Sequence, residues 1–144
     1  MIEIHNNKQI LNFLNTNGIS NLLLEPIKQD GSNRRYFRIN NNSKTLLMDS
    51  NPTENNNDVF IQISQYLNKI GLSAPKIIQT DNNNGLFLIE DFGSLTFNEA
   101  LKNNISEKLL YLSAVQCLSK IHTHELPVNI PIYDNKYLLK ELKQ

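Results

Sequence analysis

One cysteine, Cys117, in a chain of 144 residues excludes an internal disulfide. The fold therefore does not rest on cross-links, and a reducing compartment suits it. Charge of one sign is also missing: Lys and Arg number 14, Asp and Glu number 14, and the formal net charge is +0. That balance speaks against a general binder of nucleic acid or membrane surface, which needs a field of one sign. No apolar run approaches the roughly 20 residues of a membrane span. Met1–Asn7 lacks the basic patch and apolar stretch of a secretory signal. The expectation is a cytoplasmic protein of one domain, or one lobe plus appended helices, with 40% hydrophobic residues to build a core.

Asparagine is plentiful and clustered, at Asn40–Asn42, Asn55–Asn57 and Asn82–Asn84. Asn tolerates left-handed backbone angles, so these clusters punctuate turns and carry no function of their own. Between them the periodicities alternate. Ile10, Leu11, Phe13 and Leu14 recur at helical spacing, and Asn17-Gly18 supplies a stop. Leu22–Gln29, Arg35–Ile39 and Lys44–Asp49 read as three strands. Asp58 is the expected cap of a helix that Gly71 ends, and Lys76–Thr80 and Leu86–Glu90 read as two further strands.

Short turns between these strands predict an antiparallel sheet with a packed helix, hence an α+β fold. After Gly93 the pattern becomes helical: Phe97–Lys102, then Ser106–His124 with an apolar stripe through Leu109, Leu112, Val115, Leu118 and Ile121. A last helix, capped by Asp134 or Asn135, presents Tyr137, Leu138 and Leu142. Apolar faces of this kind call for a partner to cover them. Cys117 lies in the stripe and is expected to be a buried thiol.

Several segments carry chemistry. Asp30-Gly31-Ser32-Asn33 has turn residues throughout and leads into Arg34-Arg35-Tyr36-Phe37-Arg38. Backbone amides of such a turn, with forked guanidinium donors, suit phosphate oxygens. Alternation puts Arg34, Tyr36 and Arg38 on one face and Arg35 and Phe37 on the other, so at most one set meets a ligand. A hairpin of solvated arginines or a small RNA-binding patch are the competing readings of the same residues. His122-Thr123-His124 closes a helix, where the macrodipole favours imidazolium, and is read as a helix-end pair and not a metal site.

Together these segments resemble the aminoglycoside phosphotransferase-like kinase family in its N-terminal part. The Asp30–Arg38 stretch resembles the family's phosphate-covering turn. Leu47-Met48-Asp49 before Pro52 is especially similar to the cell-wall amino-sugar kinases of that family, which act on the anomeric hydroxyl of N-acetylmuramate or N-acetylglucosamine. Ile70–Ile77 is similar to the opening of the family's fourth strand, Gly85–Gly93 to its fifth strand and hinge, and Leu118–His122 to the end of its first large-lobe helix.

The resemblance implies a protein-kinase-like small lobe over residues 1–93, with a five-stranded antiparallel sheet, and the first helices of an incomplete second lobe over 94–144. It implies ATP with Mg2+, held by Gly31, Ser32, Arg34, Arg35, Arg38, Met48, Glu90 and Phe92. Asp91-Phe92-Gly93 is placed at the hinge and is not read as a metal ligand. Met48 stands where kinases usually carry a lysine, and Gln62 near its glutamate partner. The family's catalytic loop and metal-binding aspartate follow the stretch that this sequence matches, so no catalytic or metal-binding residue is assigned. Three readings stay open. One is a kinase part completed by a separately encoded second lobe. The second is a non-catalytic remnant serving nucleotide binding or protein interaction, and the third is a degraded product without activity.

Overall fold

Leu86, Phe87, Leu88 and Ile89 are consecutive and all buried, so the strand that carries them needs cover on both sides. The computed structural model, which describes residues 8–20, 23–28, 31, 33–39, 44–127, 130 and 134–142, supplies both covers. In chain order its elements are α1 (Lys8–Thr16), β1 (Leu24–Pro26), β2 (Arg35–Ile39), β3 (Thr45–Asp49), α2 (Asn57–Lys69), β4 (Ile77–Asp81) and β5 (Leu86–Glu90). Then come α3 (Phe97–Lys102), α4 (Glu107–His122) and α5 (Asn135–Glu141). The five strands form one antiparallel sheet in the order β1-β2-β3-β5-β4. This is the α+β architecture expected of a kinase-like small lobe.

The pleat divides the core in two. Phe37, Ile39, Leu47, Leu86 and Leu88 point to one side and pack with Ile10, Phe13 and Leu14 of α1. Met48, Phe87 and Ile89 point to the other and pack with Phe60 and Ile61 of α2. Phe60 and Phe87 meet edge to face, with ring centroids 6.3 Å apart.

The helix ends follow their local chemistry. The cap of α2 is Asn56, whose side chain accepts from the Val59 amide at 3.1 Å; the expected cap, Asp58, lies inside the first turn, where its charge suits the helix dipole. Gly71 ends α2 at φ +73°, and the Leu72 amide reaches back to Leu67 O at 2.9 Å, a Schellman-type closure. Asp134 accepts from the Tyr137 amide at 3.0 Å and so caps α5. Strand β1 is shorter than the expected Leu22–Gln29, although Ile27 still donates to Tyr36 O at 2.9 Å; Leu22 and Gln29 themselves lie outside the described residues.

Past β5 the packing changes. Helix α4 buries no residue fully, and Leu109, Leu112, Val115 and Leu118 are exposed, as are Tyr137 and Leu138 of α5 and Leu142 just beyond it. Cys117, expected to be buried in this stripe, is exposed, because nothing among the described residues covers that face of α4. A bond from Lys120 Nζ to Gly71 O, 3.2 Å, ties α4 to the end of α2. Among the described residues no helix is long and apolar enough to cross a membrane.

Candidate functional site

The residues singled out in the sequence gather around the α2 side of the sheet, but they do not all face it. Ser32 lies outside the described residues, and Gly31 is exposed at φ +62° at the head of β2. Strand alternation sends Arg35 to the α1 side, where it forms an ion pair with its cross-strand neighbour Asp49. Arg35 therefore belongs to the sheet surface opposite Arg34, Arg38 and Met48. Arg34, Tyr36 and Arg38 share the α2 side. The Arg34 guanidinium lies over the Phe60 ring, 5.2 Å from its centroid, and so links the hairpin to α2. Burial raises the Tyr36 phenol above its ordinary pKa, an effect that the Arg34 charge opposes.

Arg38 is engaged by the segment after β5, where the sequence places a hinge. Its Nε donates to Asp91 Oδ2 at 2.7 Å and a terminal nitrogen donates to Asp91 Oδ1 at 3.2 Å, a two-point guanidinium–carboxylate pair. The Asp91 side chain is only 3% exposed. Its Oδ1 also accepts from the Gly93 amide at 2.7 Å, and its own amide donates to Lys44 O at 3.0 Å. These bonds close a tight turn in which Gly93 takes φ +81°. Between the two engaged amides stands Phe92, whose N–H has no partner among the described residues and whose ring is exposed. Glu90 is fixed from the other side: its amide donates to Lys76 O at 3.0 Å and its carboxylate accepts from the Lys76 amide at 3.3 Å.

The pair has an electrostatic signature. Hydrogen bonds from Arg38 hold the Asp91 carboxyl below the usual carboxylate range, assisted by the Gly93 amide and against the cost of burial. The same contact holds the Arg38 charge above its ordinary pKa. A carboxylate depressed in the native state stabilises the fold above its unfolded pKa, about 3.9, and loses that contribution as pH falls through the folded value. Asp91→Asn is therefore expected to be less stable than the unaltered chain at pH 6, with the gap closing toward pH 2–3. Urea melts at both pH values check this, and parallel pH profiles for the two proteins would refute it.

Met48, at the position usually held by lysine, is completely buried against Phe87 and Ile89. Gln62, the counterpart of the glutamate, lines a separate cleft with Gln65, Tyr66 and Lys69 of α2 and with Thr123–Pro127. The apolar side chains of Phe60 and Ile61 pack against the Met48 cluster in its place. At the end of α4, His124 Nδ1 lies 2.6 Å from Lys120 O, so the imidazole closes the helix. Among the described residues no group of three or more His, Cys, Asp and Glu is placed to hold a metal ion.

No family model matches the chain. Individual proteins do. An N-acetylmuramate/N-acetylglucosamine kinase of Pseudomonas aeruginosa is 29% identical over 121 residues, which is 83% of this chain and 36% of that protein. Kinases of the same name from Caulobacter vibrioides and Neisseria meningitidis are 26% and 24% identical, covering 80% and 78% of this chain and 39% and 35% of theirs. The chain is a relative of the N-acetylmuramate/N-acetylglucosamine kinases. It spans a little over a third of the length of these relatives.

The sequence pattern did not reveal Asp91 as the partner of Arg38. Their separation of 53 residues leaves no local pattern to read.

Proposed function

We propose that this chain provides the nucleotide-covering lobe of an ATP-dependent amino-sugar kinase, with residues 94–144 beginning the second lobe. The observation that carries the reading is the similarity to kinases over some four fifths of the chain, together with a sheet and α2 arranged as in a kinase small lobe. The base would lie against the hinge at Glu90–Phe92, through backbone groups such as the Phe92 amide. The phosphates would lie under the Gly31–Arg34 turn. Mg2+ would neutralise phosphate charge, and its ligands, like the base for the acceptor hydroxyl, we assign to the second lobe. That lobe, contributed as a separate chain or as further sequence, would also cover the apolar stripe of α4. On this reading the 144 residues bind nucleotide and do not transfer phosphate alone.

A thermal melt of the 144-residue chain with and without ATP and Mg2+ tests the first half. At a hundredfold excess over Kd a ligand stabilises by about 2.7 kcal/mol, a shift of several degrees for a chain of this size. A flat melting temperature up to millimolar ATP would sink the nucleotide reading. The second half is tested by adding a polypeptide that corresponds to the remaining length of the Pseudomonas aeruginosa relative. ATP-dependent phosphorylation of N-acetylglucosamine or N-acetylmuramate is expected. Nucleotide binding without turnover in that mixture would favour a non-catalytic remnant, the reading to which the buried Met48 lends itself.

A further inference from the structure

Resting on the nucleotide reading above, we infer that the Arg38–Asp91 pair is the positioning element of the cleft, setting the hinge so that it reads adenine, and that Arg38 is not a phosphate ligand. Three observations carry this. First, both hydrogen-bonding nitrogens of Arg38 are directed at Asp91, at 2.7 and 3.2 Å, which leaves its charge neutralised at the hinge end of the strand and away from the turn at Gly31. Second, one Asp91 oxygen is shared between Arg38 and the Gly93 amide, so the ion pair and the hinge turn form one unit. Third, that turn holds the amides on either side of Phe92 in protein hydrogen bonds, leaving the Phe92 N–H as the available donor of the segment.

A lone backbone donor suits the N1 acceptor of adenine and opposes guanine, whose N1 carries a hydrogen. Guanine would need an acceptor for its N1 and N2 hydrogens, and the neighbouring Asp91 carboxylate is engaged by Arg38 and the Gly93 amide. The pair thus does two things at once: it orients the adenine donor and removes the guanine acceptor. Asp91 and Arg38 are positioning residues here, since they act through the Phe92 amide.

Calorimetric titration of the full 144-residue chain with ATP, GTP and inorganic tripolyphosphate, repeated for Arg38→Met and Arg38→Lys, separates the roles. Tripolyphosphate carries the charge without the base. In Arg38→Met, ATP affinity is expected to fall tenfold or more, tripolyphosphate affinity to stay within twofold, and the ATP-to-GTP preference to shrink or invert. Arg38→Lys is expected to recover part of the ATP affinity. In the free proteins, Gly93 amide hydrogen exchange is expected to quicken at least tenfold in Arg38→Met, with the Leu88 amide unchanged.

Equal loss of ATP and tripolyphosphate would make Arg38 a phosphate ligand and overturn the inference. An unchanged Gly93 exchange rate would overturn it as well, whatever the ligands do. Should Arg38→Met not fold, Asp91→Asn, which keeps an acceptor for Gly93 and breaks the ion pair, carries the same expectation for ATP and tripolyphosphate, whereas GTP is expected to gain nothing because the carboxylate is gone. An unaltered chain that takes up neither ATP nor tripolyphosphate would bring down the nucleotide reading itself. Exchange at Gly93 tells that failure from a failure of the pair.

Discussion

Gly85→Ala is expected to leave the chain largely unfolded at ambient temperature. Gly85 closes the turn between β4 and β5 at φ +67°, and a Cβ built on it would lie 1.9 Å from the Ser50 carbonyl oxygen and 2.9 Å from a ring carbon of Pro52. The obstacle is backbone, which cannot rotate aside. It is also a junction: the Ser50 amide donates to Gly85 O at 2.8 Å, and the Ser50 carbonyl accepts from Asn57 Nδ2 at 3.1 Å. The Ser50 hydroxyl and Asn57 Oδ1 are 2.6 Å apart, and both residues are buried. Moving Ser50 to admit a methyl group therefore disturbs the end of β3, the start of α2 and the entry to β5 together.

The backbone angle alone costs a side chain about 1 kcal/mol, and the clash with loss of the buried hydrogen bonds should bring the total above about 3 kcal/mol. Gly18→Ala is the matched control, since Gly18 has φ +74° and open space around its missing Cβ. It should cost about 1 kcal/mol. Circular dichroism melts of the two variants decide the matter, and equal losses would show that the Ser50 contact does not govern this turn.

How much of this was legible in the sequence depends on how local each feature is. Strand β2 and helix α3 begin and end where their patterns predict, because alternation and a following asparagine turn or Thr96 cap fix them within a few residues. Counting outward from Asn40–Asn42 sets Arg35 opposite Leu47, two residues short of its observed partner Asp49, so the hairpin was within reach of the sequence and its register was not. The Ser50–Asn57–Gly85 junction and the Arg38–Asp91 pair were not, because each joins segments that only the completed sheet brings together. Cys117 failed for another reason. An apolar stripe states that a face should be covered, and burial follows only where a cover exists among the residues at hand.

Met48→Lys is the second large effect expected, and it bears on what kind of cleft this lobe offers. The substitution would restore the lysine usual in kinases to a site where the native side chain is 0% exposed. The apolar groups packed there are Phe87, Ile89, Tyr36, Leu46, Phe60, Ile61 and Ile77. A lysine in that cluster must either leave its ammonium desolvated and unpaired or lose its proton, and both routes cost the fold. A loss of at least about 3 kcal/mol is expected, against under about 1.5 kcal/mol for the volume-conserving Met48→Leu.

Urea melts compare the three proteins, and ATP titration of Met48→Leu adds the functional half. Retained binding there is expected, because an apolar wall makes no charged contact that leucine would remove. If Met48→Lys were as stable as the unaltered chain, the α2 side of β3 would have to open to water, and an ion pair of the usual kinase kind could be accommodated. If it is not, the nucleotide binding proposed for this lobe would depend on the Gly31–Arg34 turn and on the segment held by Arg38 and Asp91.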